Sequence, residues 1–214
     1  MASNWLEIVK KEQVIAVIRA FPKGLGKQLA QAMRQGGVRL LEITWNSDQP
    51  EVLIPELREE MPDCIIGTGT IFTVAELNSA IAQGAQFAFS PHVDSQLIET
   101  ALANNFPIIP GALSPTEIIT AWQAGATAVK IYPAQAMGGV NYIKSLQAPL
   151  GNIPLIPTGG VTLANAKDFI RAGATAVGLS SQLFPKDLVA AENWQAITQQ
   201  AFNLKQTLQE IEHN

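Results

Sequence analysis

Short apolar runs alternate with helical segments along most of this chain. Runs that are apolar at nearly every position are typical of strands covered on both faces, so the alternation predicts parallel βα units. The runs predicted as strands are Val14–Ala20, Leu40–Trp45, Ile65–Ile71, Phe87–Pro91, Ile108–Ala112, Ala128–Pro133, Leu155–Thr158 and Ala176–Leu179. The segments predicted as helices include 3–12, Glu51–Met61, Val74–Gln83, Ser95–Asn104, Pro115–Ala124 and a long final helix after Trp194.

A junction between helix and strand is repeated within the chain. Residues 124–129 and 172–177 both read Ala-Gly-Ala-Thr-Ala-Val, and fainter copies occur at 82–89 and 34–38. Each glycine falls where a helix ends and a left-handed cap must precede the next strand. The eight units predict one α/β domain over residues 1–214, folded as a (β/α)8 TIM barrel with an extra N-terminal helix. An open doubly wound sheet is the alternative fold.

Composition narrows the range of partners. The net charge is -4 over 214 residues and no block of like charges occurs, so neither nucleic acid nor an anionic membrane is expected as a partner. The single cysteine, Cys64, excludes an internal disulfide, and two distant histidines, His92 and His213, make a metal site unexpected. We see no signal-peptide pattern and no apolar run of the ~18 residues that a membrane helix needs, so the expected location is cytoplasmic.

Lys130 and Glu42 are the charged residues that fit these strands least, because each lies inside an otherwise apolar run. Burial of an ammonium group is costly or lowers the pKa of a lysine. A lysine that is neutral near pH 7 is a nucleophile that forms Schiff bases with carbonyl compounds, and a neighbouring carboxylate can move protons. The pair therefore predicts the chemistry of a class I aldolase. A structural lysine with a partner inside the barrel is the alternative.

Further polar residues are predicted at the C-terminal ends of the strands, where the active sites of barrels lie. Side chains alternate along a strand, so Glu42 and Lys130 look into one cavity if their faces point inward. Tyr132, on the same face as Lys130, is expected to pack beside the imine, with a core aromatic as the alternative. The other candidates at the strand ends are Arg19, Asn46, Thr70, Pro91 and Thr158.

The seventh and eighth βα loops predict an anion site. Gly159 and Gly160 precede a helix that is predicted from about Leu163, with Thr162 as its N-cap. Backbone N–H groups at such a helix start bind anions, and these two loops are the usual phosphate site of a barrel. The eighth loop adds two hydroxyl groups, those of Ser180 and Ser181.

Several segments, in this order, resemble one family. They are Gly-Gly-Val with Leu-Glu-Ile-Thr (36–44), Gly-Thr-Gly-Thr (67–70), Phe-Ser-Pro-His (89–92), Ile-Pro-Gly (109–111), Lys-Ile-Tyr-Pro-Ala (130–134), Pro-Thr-Gly-Gly-Val (157–161) and Gly-Leu-Ser-Ser (178–181). Over nearly its whole length the chain resembles the aldolases of 2-keto-3-deoxy-6-phosphogluconate (KDPG) and 4-hydroxy-2-oxoglutarate (KHG). The resemblance implies a homotrimer of (β/α)8 barrels that acts on small 2-keto acids and aldehydes by class I chemistry, without a metal or cofactor.

The resemblance also implies roles by position. Lys130 matches the Schiff-base lysine of the family, Glu42 its general acid/base, and Thr70 a threonine that holds the pyruvoyl carboxylate. The positions that match the substrate and phosphate loops are Thr158, Gly159, Gly160, Ser180 and Ser181.

Asn46 departs from the family pattern. Many members carry arginine at this position as a further carboxylate ligand, and Arg19 is the residue expected to replace that guanidinium from the neighbouring strand. A structural ion pair inside the barrel is the alternative role for Arg19. Members that act on the galactonate-derived epimer resemble this chain in having Asn-Ser here.

The expected reaction is cleavage of KDPG to pyruvate and glyceraldehyde 3-phosphate, of KHG to pyruvate and glyoxylate, or of both. One alternative is cleavage of the galactonate-derived epimer of KDPG. A phosphate-binding barrel isomerase or epimerase is a second alternative, and it would not need a buried lysine. A sugar-phosphate binding protein without catalysis is a third, and it would need neither Glu42 nor Lys130.

Overall fold

A computed structural model describes residues 2–210 of the chain, in which strands and helices alternate. The strands are β1 Val14–Ile18, β2 Leu40–Thr44, β3 Ile65–Gly69, β4 Ala88–Phe89, β5 Ile108–Ile109, β6 Gly111–Ala112, β7 Val129–Ile131, β8 Leu155–Pro157 and β9 Val177–Leu179. The helices are α1 Ala2–Glu12, α2 Lys23–Gln35, α3 Pro50–Glu60, α4 Val74–Ala82, α5 Ser95–Ala103, α6 Pro115–Gln123, α7 Val140–Leu150, α8 Ala166–Arg171, α9 Lys186–Ala190 and α10 Trp194–Gln209, with a 3-10 turn over Ala134–Met137. His213 lies outside the described residues.

The strands form two parallel sheets. A six-stranded sheet has the order β5-β4-β3-β2-β1-β9, and a three-stranded sheet has the order β6-β7-β8. Pro110 alone separates β5 from β6, and one parallel bridge joins Thr158 to Gly178 between the two sheets. The predicted parallel α/β architecture is therefore confirmed, and each predicted strand contains a strand of the structure.

Two buried apolar clusters lie on opposite faces of the strands. The smaller cluster contains Leu40 and Ala128 together with Trp5 of α1, and the larger cluster contains the residues that pack against the other helices. Glu42 and Lys130 lie two positions further along their strands, so they face the same side as Leu40 and Ala128. Both charged side chains therefore project from the inner face of the strands, and α1 packs against the opposite end of that same face.

The repeated glycine junction takes the predicted conformation. Gly125 and Gly173 each have φ +101°, in the left-handed region that favours glycine. In the fainter copy at the end of α2, the left-handed residue is Gly37, with φ +85°, whereas Gly36 has φ -77°.

The start of α8 differs from the prediction. The helix begins at Ala166 and not near Leu163. The backbone N–H of Thr162 donates to Oδ1 of Asn165 at 2.7 Å, and the backbone N–H of Asn165 donates to Oγ1 of Thr162 at 3.1 Å. This reciprocal pair has the pattern of a capping box, and the backbone N–H of Ala166 donates to the carbonyl of Thr162 at 3.0 Å. Thr162 therefore caps the turn that leads into α8, as predicted, although the regular helix begins later than expected. The position flanking the helix is taken by Asn165.

The bounds of α2, α7 and α9 were not predicted, although the glycine junction at 34–38 predicted that a helix ends where α2 does. None of the described helices combines the length and hydrophobicity that crossing a bilayer requires.

Candidate active site

A cavity of about 480 Å³ opens where the strands end. The structure brings every predicted candidate to its wall: Lys130, Glu42, Arg19, Asn46, Thr70, Pro91, Tyr132, Thr158, Gly159, Gly160, Ser180 and Ser181. The wall also contains residues that sequence reasoning missed, namely Val17, Phe72, Val161, Gly178 and Gln182. The candidates come from seven different strands or the loops after them, so their convergence depends on the parallel arrangement of the strands.

Lys130 lies in the middle of β7, where its backbone N–H donates to the carbonyl of Pro110 at 2.9 Å. The residue is 7% exposed. Its Nζ lies 4.9 Å from the ring centre of Tyr132 and 5.6 Å from that of Phe89. Within residues 2–210 the ammonium group forms no ion pair or hydrogen bond. A structural lysine would be expected to have such a partner, so the arrangement favours a group held ready for a ligand.

Glu42 is 1% exposed, and its neighbours in the sheet are Val17 of β1 and Gly67 of β3. Burial raises the pKa of this carboxyl above its ordinary value, and the charges of Lys130 and Arg19 oppose that increase. No other described residue forms a hydrogen bond with the carboxylate. A carboxylate with a raised pKa can accept and return a proton more readily near neutral pH.

Buried aromatic rings lie behind the cavity wall, next to Lys130. Phe87 and Phe89 meet edge to face with ring centres 5.8 Å apart, and Trp5 of α1 lies 5.3 Å from Phe87. The three rings form a continuous series of contacts from Trp5 of α1 to Lys130. This buried aromatic layer excludes water from one side of the amine.

Arg19 and Asn46 lie on two loops that are joined by hydrogen bonds. Ser47 Oγ accepts from the backbone N–H of Ala20 at 3.2 Å, and the N–H of Asp48 donates to the carbonyl of Ala20 at 3.0 Å. Both Arg19 and Asn46 are exposed at the cavity. Arg19 forms no salt bridge with any described carboxylate, although its charge acts on Glu42 across the cavity.

The loops after β8 and β9 present backbone donors to the cavity. Gly159 and Gly160 both have φ +83°, and the carbonyl of Gly159 accepts from the N–H of Gln135 at 3.1 Å. The backbone N–H groups of Gly160 and Ser181 donate to no other residue in the described part of the chain. Donors that are free and fixed in direction suit an anion such as a phosphate. These N–H groups lie in loops. The sequence predicted donors at the N-terminus of the helix that follows Gly160, but that helix begins only at Ala166.

Thr70, directly after β3, has φ +62°, a conformation that is rare for a residue with a branched side chain and costs about 1–3 kcal/mol. The side chain lines the cavity. The sequence motif Gly-Thr-Gly-Thr drew attention to Thr70 but did not indicate this backbone geometry.

Phe72 is the largest side chain that the prediction missed. It is 52% exposed at the mouth of the cavity and stacks on His92 with ring centres 6.1 Å apart. The residue occupies a loop, where no periodicity predicts which way a side chain points, so only its exposure in the fold could have identified it. Over residues 2–210 no cluster of three His, Cys, Asp or Glu side chains has the geometry to hold a metal ion.

Known proteins resemble this chain in sequence and fold. A family model described as "Aldolase: KDPG and KHG aldolase" matches residues 6–200. A protein of Pseudoalteromonas atlantica (strain T6c / ATCC BAA-1087) named 2-dehydro-3-deoxy-phosphogluconate aldolase is 32% identical over 205 residues, which are 94% of this chain and 95% of that protein.

Two solved structures resemble the fold closely. One is described as "Native KDPGal structure" and has a TM-score of 0.85 at 31% identity, covering 94% of this chain and 96% of that chain. The other is the KDPG aldolase of Legionella pneumophila with pyruvate captured as a covalent carbinolamine intermediate, with a TM-score of 0.86 at 28% identity, covering 93% of this chain and 97% of that chain.

Proposed function

Because this chain belongs to the KDPG and KHG aldolase family, whose members are carbon–carbon lyases, we propose that it cleaves KDPG to pyruvate and glyceraldehyde 3-phosphate by class I chemistry. Lys130 is the nucleophile and Glu42 the general acid/base. The same machinery cleaves KHG to pyruvate and glyoxylate.

One observation supports this proposal more than any other. Lys130 and Glu42 are both buried, project into one cavity, and form no hydrogen bond or salt bridge with any described side chain. Leaving two charged groups buried without hydrogen bonds lowers stability, even though their opposite charges attract. A fold that retains both is expected to use them on a ligand that enters between them.

In the first half of the reaction, the unprotonated Nζ of Lys130 attacks the C2 carbonyl of the substrate to form a carbinolamine. Loss of water then gives a protonated imine, with Glu42 or a water that it holds moving the protons. The imine is a cation that can accept an electron pair from C3. The buried rings of Phe87 and Phe89 behind the cavity wall keep water away from this side of the imine.

In the second half, Glu42 accepts the proton of the C4 hydroxyl, and the C3–C4 bond breaks. The electron pair moves into the imine to give an enamine, and the aldehyde product leaves. Glu42 then returns the proton to C3, and water hydrolyses the resulting imine to pyruvate and free Lys130. Atoms balance over the cycle, because the water lost on imine formation is regained on hydrolysis.

The remaining wall residues bind the two ends of the substrate. Thr70 and Arg19 hold the carboxylate, with the guanidinium forming a bidentate pair, and their position at the cavity wall supports this role. Pro91 and Tyr132 form apolar wall beside the imine. The phosphate is bound by Ser180, by the free N–H groups of Gly160 and Ser181, and by the neighbouring Gly159 and Thr158.

A second candidate substrate is the galactonate-derived epimer, 2-keto-3-deoxy-6-phosphogalactonate. The observation that favours it is Asn46, which lies at the cavity wall where many family members carry arginine. An amide can donate to or accept from a hydroxyl, whereas arginine only donates. Asn46 is therefore a candidate for the residue that distinguishes the two configurations at C4.

The complete (β/α)8 barrel with an extra N-terminal helix is part of the same proposal. The bridge between Thr158 and Gly178 and the single-residue gap at Pro110 support closure of the two sheets into one ring. Such a barrel comprises one domain over 1–214, and the family resemblance supports a homotrimer in the cytoplasm. Light scattering of the purified protein tests the trimer directly.

A cleavage assay tests the proposed reaction. Pyruvate release is measured with KDPG, its galactonate-derived epimer and KHG, for wild type, Lys130→Ala and Lys144→Ala. Lys144, exposed on α7, is the control for loss of a lysine. We expect Lys130→Ala alone to abolish release from every substrate. Absence of pyruvate from all three substrates with wild type would overturn the proposal.

A further inference from the structure

The inward face of β3 carries two glycines where other strands carry side chains. A Cβ added at Gly69 would lie 1.7 Å from Oε1 of Glu42, 2.4 Å from its Cδ and 2.9 Å from its Cγ. A Cβ added at Gly67 would lie 2.5 Å from two ring atoms of Phe87. Each glycine therefore leaves a slot, and the slot at Gly69 is filled by the Glu42 carboxyl group.

The backbone that forms the slot is held in place. Gly69 pairs with Thr44 across the ladder between β2 and β3, and its carbonyl accepts from the N–H of Trp45 at 2.7 Å. The strand therefore cannot move away to make room for a larger residue without breaking this ladder. A side chain at position 69 would have to displace the carboxyl group of Glu42.

Hydrogen bonds do not account for the position of that carboxyl group. A catalytic carboxylate is commonly oriented by donors around it, but none of the described residues donates to Glu42. Steric fit against β3 is the constraint that remains on this end of the side chain.

We infer that Gly69 is a positioning residue of the reaction, because the space left by its absent side chain sets where the Glu42 carboxylate lies relative to the substrate. This inference rests on the proposed role of Glu42 as the acid/base. Gly69 itself touches no reacting atom, and its effect acts through Glu42 alone.

The test separates imine formation from proton transfer. Trapping of pyruvate with borohydride reports the imine, and exchange of the pyruvate methyl hydrogens in deuterated water reports proton transfer at C3. In Gly69→Ala we expect pyruvate still to be trapped, though more slowly because Glu42 also moves protons during imine formation, and exchange to fall by about 10²-fold or more, as in Glu42→Gln, because an acid/base group contributes about 10²–10⁴-fold. The double variant Gly69→Ala/Glu42→Gln is expected to be no slower than Glu42→Gln, because both changes remove one function.

Two matched glycine variants are the controls. Gly24 in α2 has open space around it, so Gly24→Ala should leave both readouts unchanged. Gly67→Ala collides with the ring of Phe87 and should lower the melting temperature while lowering trapping and exchange together. A fall in exchange that exceeds the fall in trapping is thus specific to position 69.

Glu42→Asp gives a test that does not depend on whether Gly69→Ala folds. Aspartate is one methylene shorter, so its carboxylate withdraws from the slot while the charge remains. We expect exchange in Glu42→Asp to fall at least tenfold with trapping retained. If Glu42→Gln abolishes exchange but Gly69→Ala or Glu42→Asp exchanges at the wild-type rate, the role of Gly69 is wrong and the proposed function stands. If Glu42→Gln itself exchanges normally, the proposed function of Glu42 is wrong.

Discussion

The Nζ atom of Lys130 lies 4.9 Å from the centre of the Tyr132 ring, two residues further along the chain. Both side chains line the cavity, with Tyr132 directly after the end of β7, and Phe89 approaches the same nitrogen from β4 at 5.6 Å. The amine therefore has an aromatic ring on two sides. Tyr132 is 43% exposed, so its ring separates Lys130 from solvent at the mouth of the cavity.

This geometry predicts that the ring of Tyr132 matters and its hydroxyl does not. Tyr132→Phe should keep kcat/KM within about twofold of wild type, because the ring over the imine is retained. Tyr132→Ala should lower kcat/KM about tenfold or more, because water reaches the imine and a cation–π contact of about 0.5–2 kcal/mol is lost. Equal values for Tyr132→Ala and wild type in a pyruvate-release assay would show that the ring has no part in the reaction.

The raised pKa of Glu42 predicts how stability depends on pH. As pH increases above the ordinary glutamate value of 4.5, the unfolded chain loses this proton before the folded chain does. The contribution of the protonated group to stability is therefore complete below that value and is lost as pH rises through the folded pKa. Glutamine does not titrate, so Glu42→Gln removes this dependence of stability on pH. The melting temperature of the variant minus that of wild type should therefore increase as pH rises from about 4.5 to about 8.

Glu59→Gln is the control for this pH series, because Glu59 is exposed on α3. Its melting temperature should follow that of wild type at every pH. A gap between Glu42→Gln and wild type that narrows with rising pH would mean that burial is not the dominant influence on the carboxyl group.

The loops after β8 and β9 predict a selective effect on phosphorylated substrates. A Cβ at Gly160 would lie 2.2 Å from Cβ of Gln135, so Gly160→Ala must shift the loop that carries the free N–H. Its KM for KDPG should rise tenfold or more, a loss of about 1.4 kcal/mol, with little change for KHG, which has no phosphate. Ser181→Ala should act in the same direction, whereas Ser145→Ala on α7 should leave both substrates unaffected. Parallel losses on KDPG and KHG would indicate that these loops only support the fold.

Arg19 and Asn46 are predicted to act on different parts of the substrate. Arg19→Ala should raise KM for all pyruvoyl substrates about tenfold or more, because the guanidinium is the charged ligand for the carboxylate. Arg19→Lys should raise this KM less than Arg19→Ala does but should not restore the wild-type value, since an ammonium cannot form the bidentate pair. Asn46→Ala should cost less and should change the ratio of kcat/KM between KDPG and its galactonate-derived epimer. An equal fall for both epimers in Asn46→Ala, with no effect of Arg19→Ala, would reverse the two roles.

The strands could be located from the sequence because both faces of each strand are covered in this fold, so each strand is a continuous apolar run. The cavity wall could be located as well, since polar residues at the ends of parallel strands must meet at one edge. Alternation within Leu40–Thr44 was enough to place Glu42 on the inner face.

Features that depend on side chains from distant segments could not be predicted. The start of α8 is a local exception: Thr162 and Asn165 cap a turn before the regular helix, and the length of that turn does not follow from the sequence pattern. The contact of Gly69 with Glu42 joins two strands whose register is set only by the folded sheet. Phe72 lies in a loop, where exposure and direction follow from the fold.

Trapping with borohydride tests the central role of Lys130 most directly. Pyruvate and sodium borohydride are added to the native protein, and the reduced adduct is located by peptide mapping and mass spectrometry. The buried position of Lys130 beside Glu42 predicts one irreversible adduct at Lys130, which is absent in Lys130→Ala and retained in Lys144→Ala. An adduct at Lys144 or Lys167, or no adduct at all, would contradict the assignment of Lys130 as the Schiff-base residue.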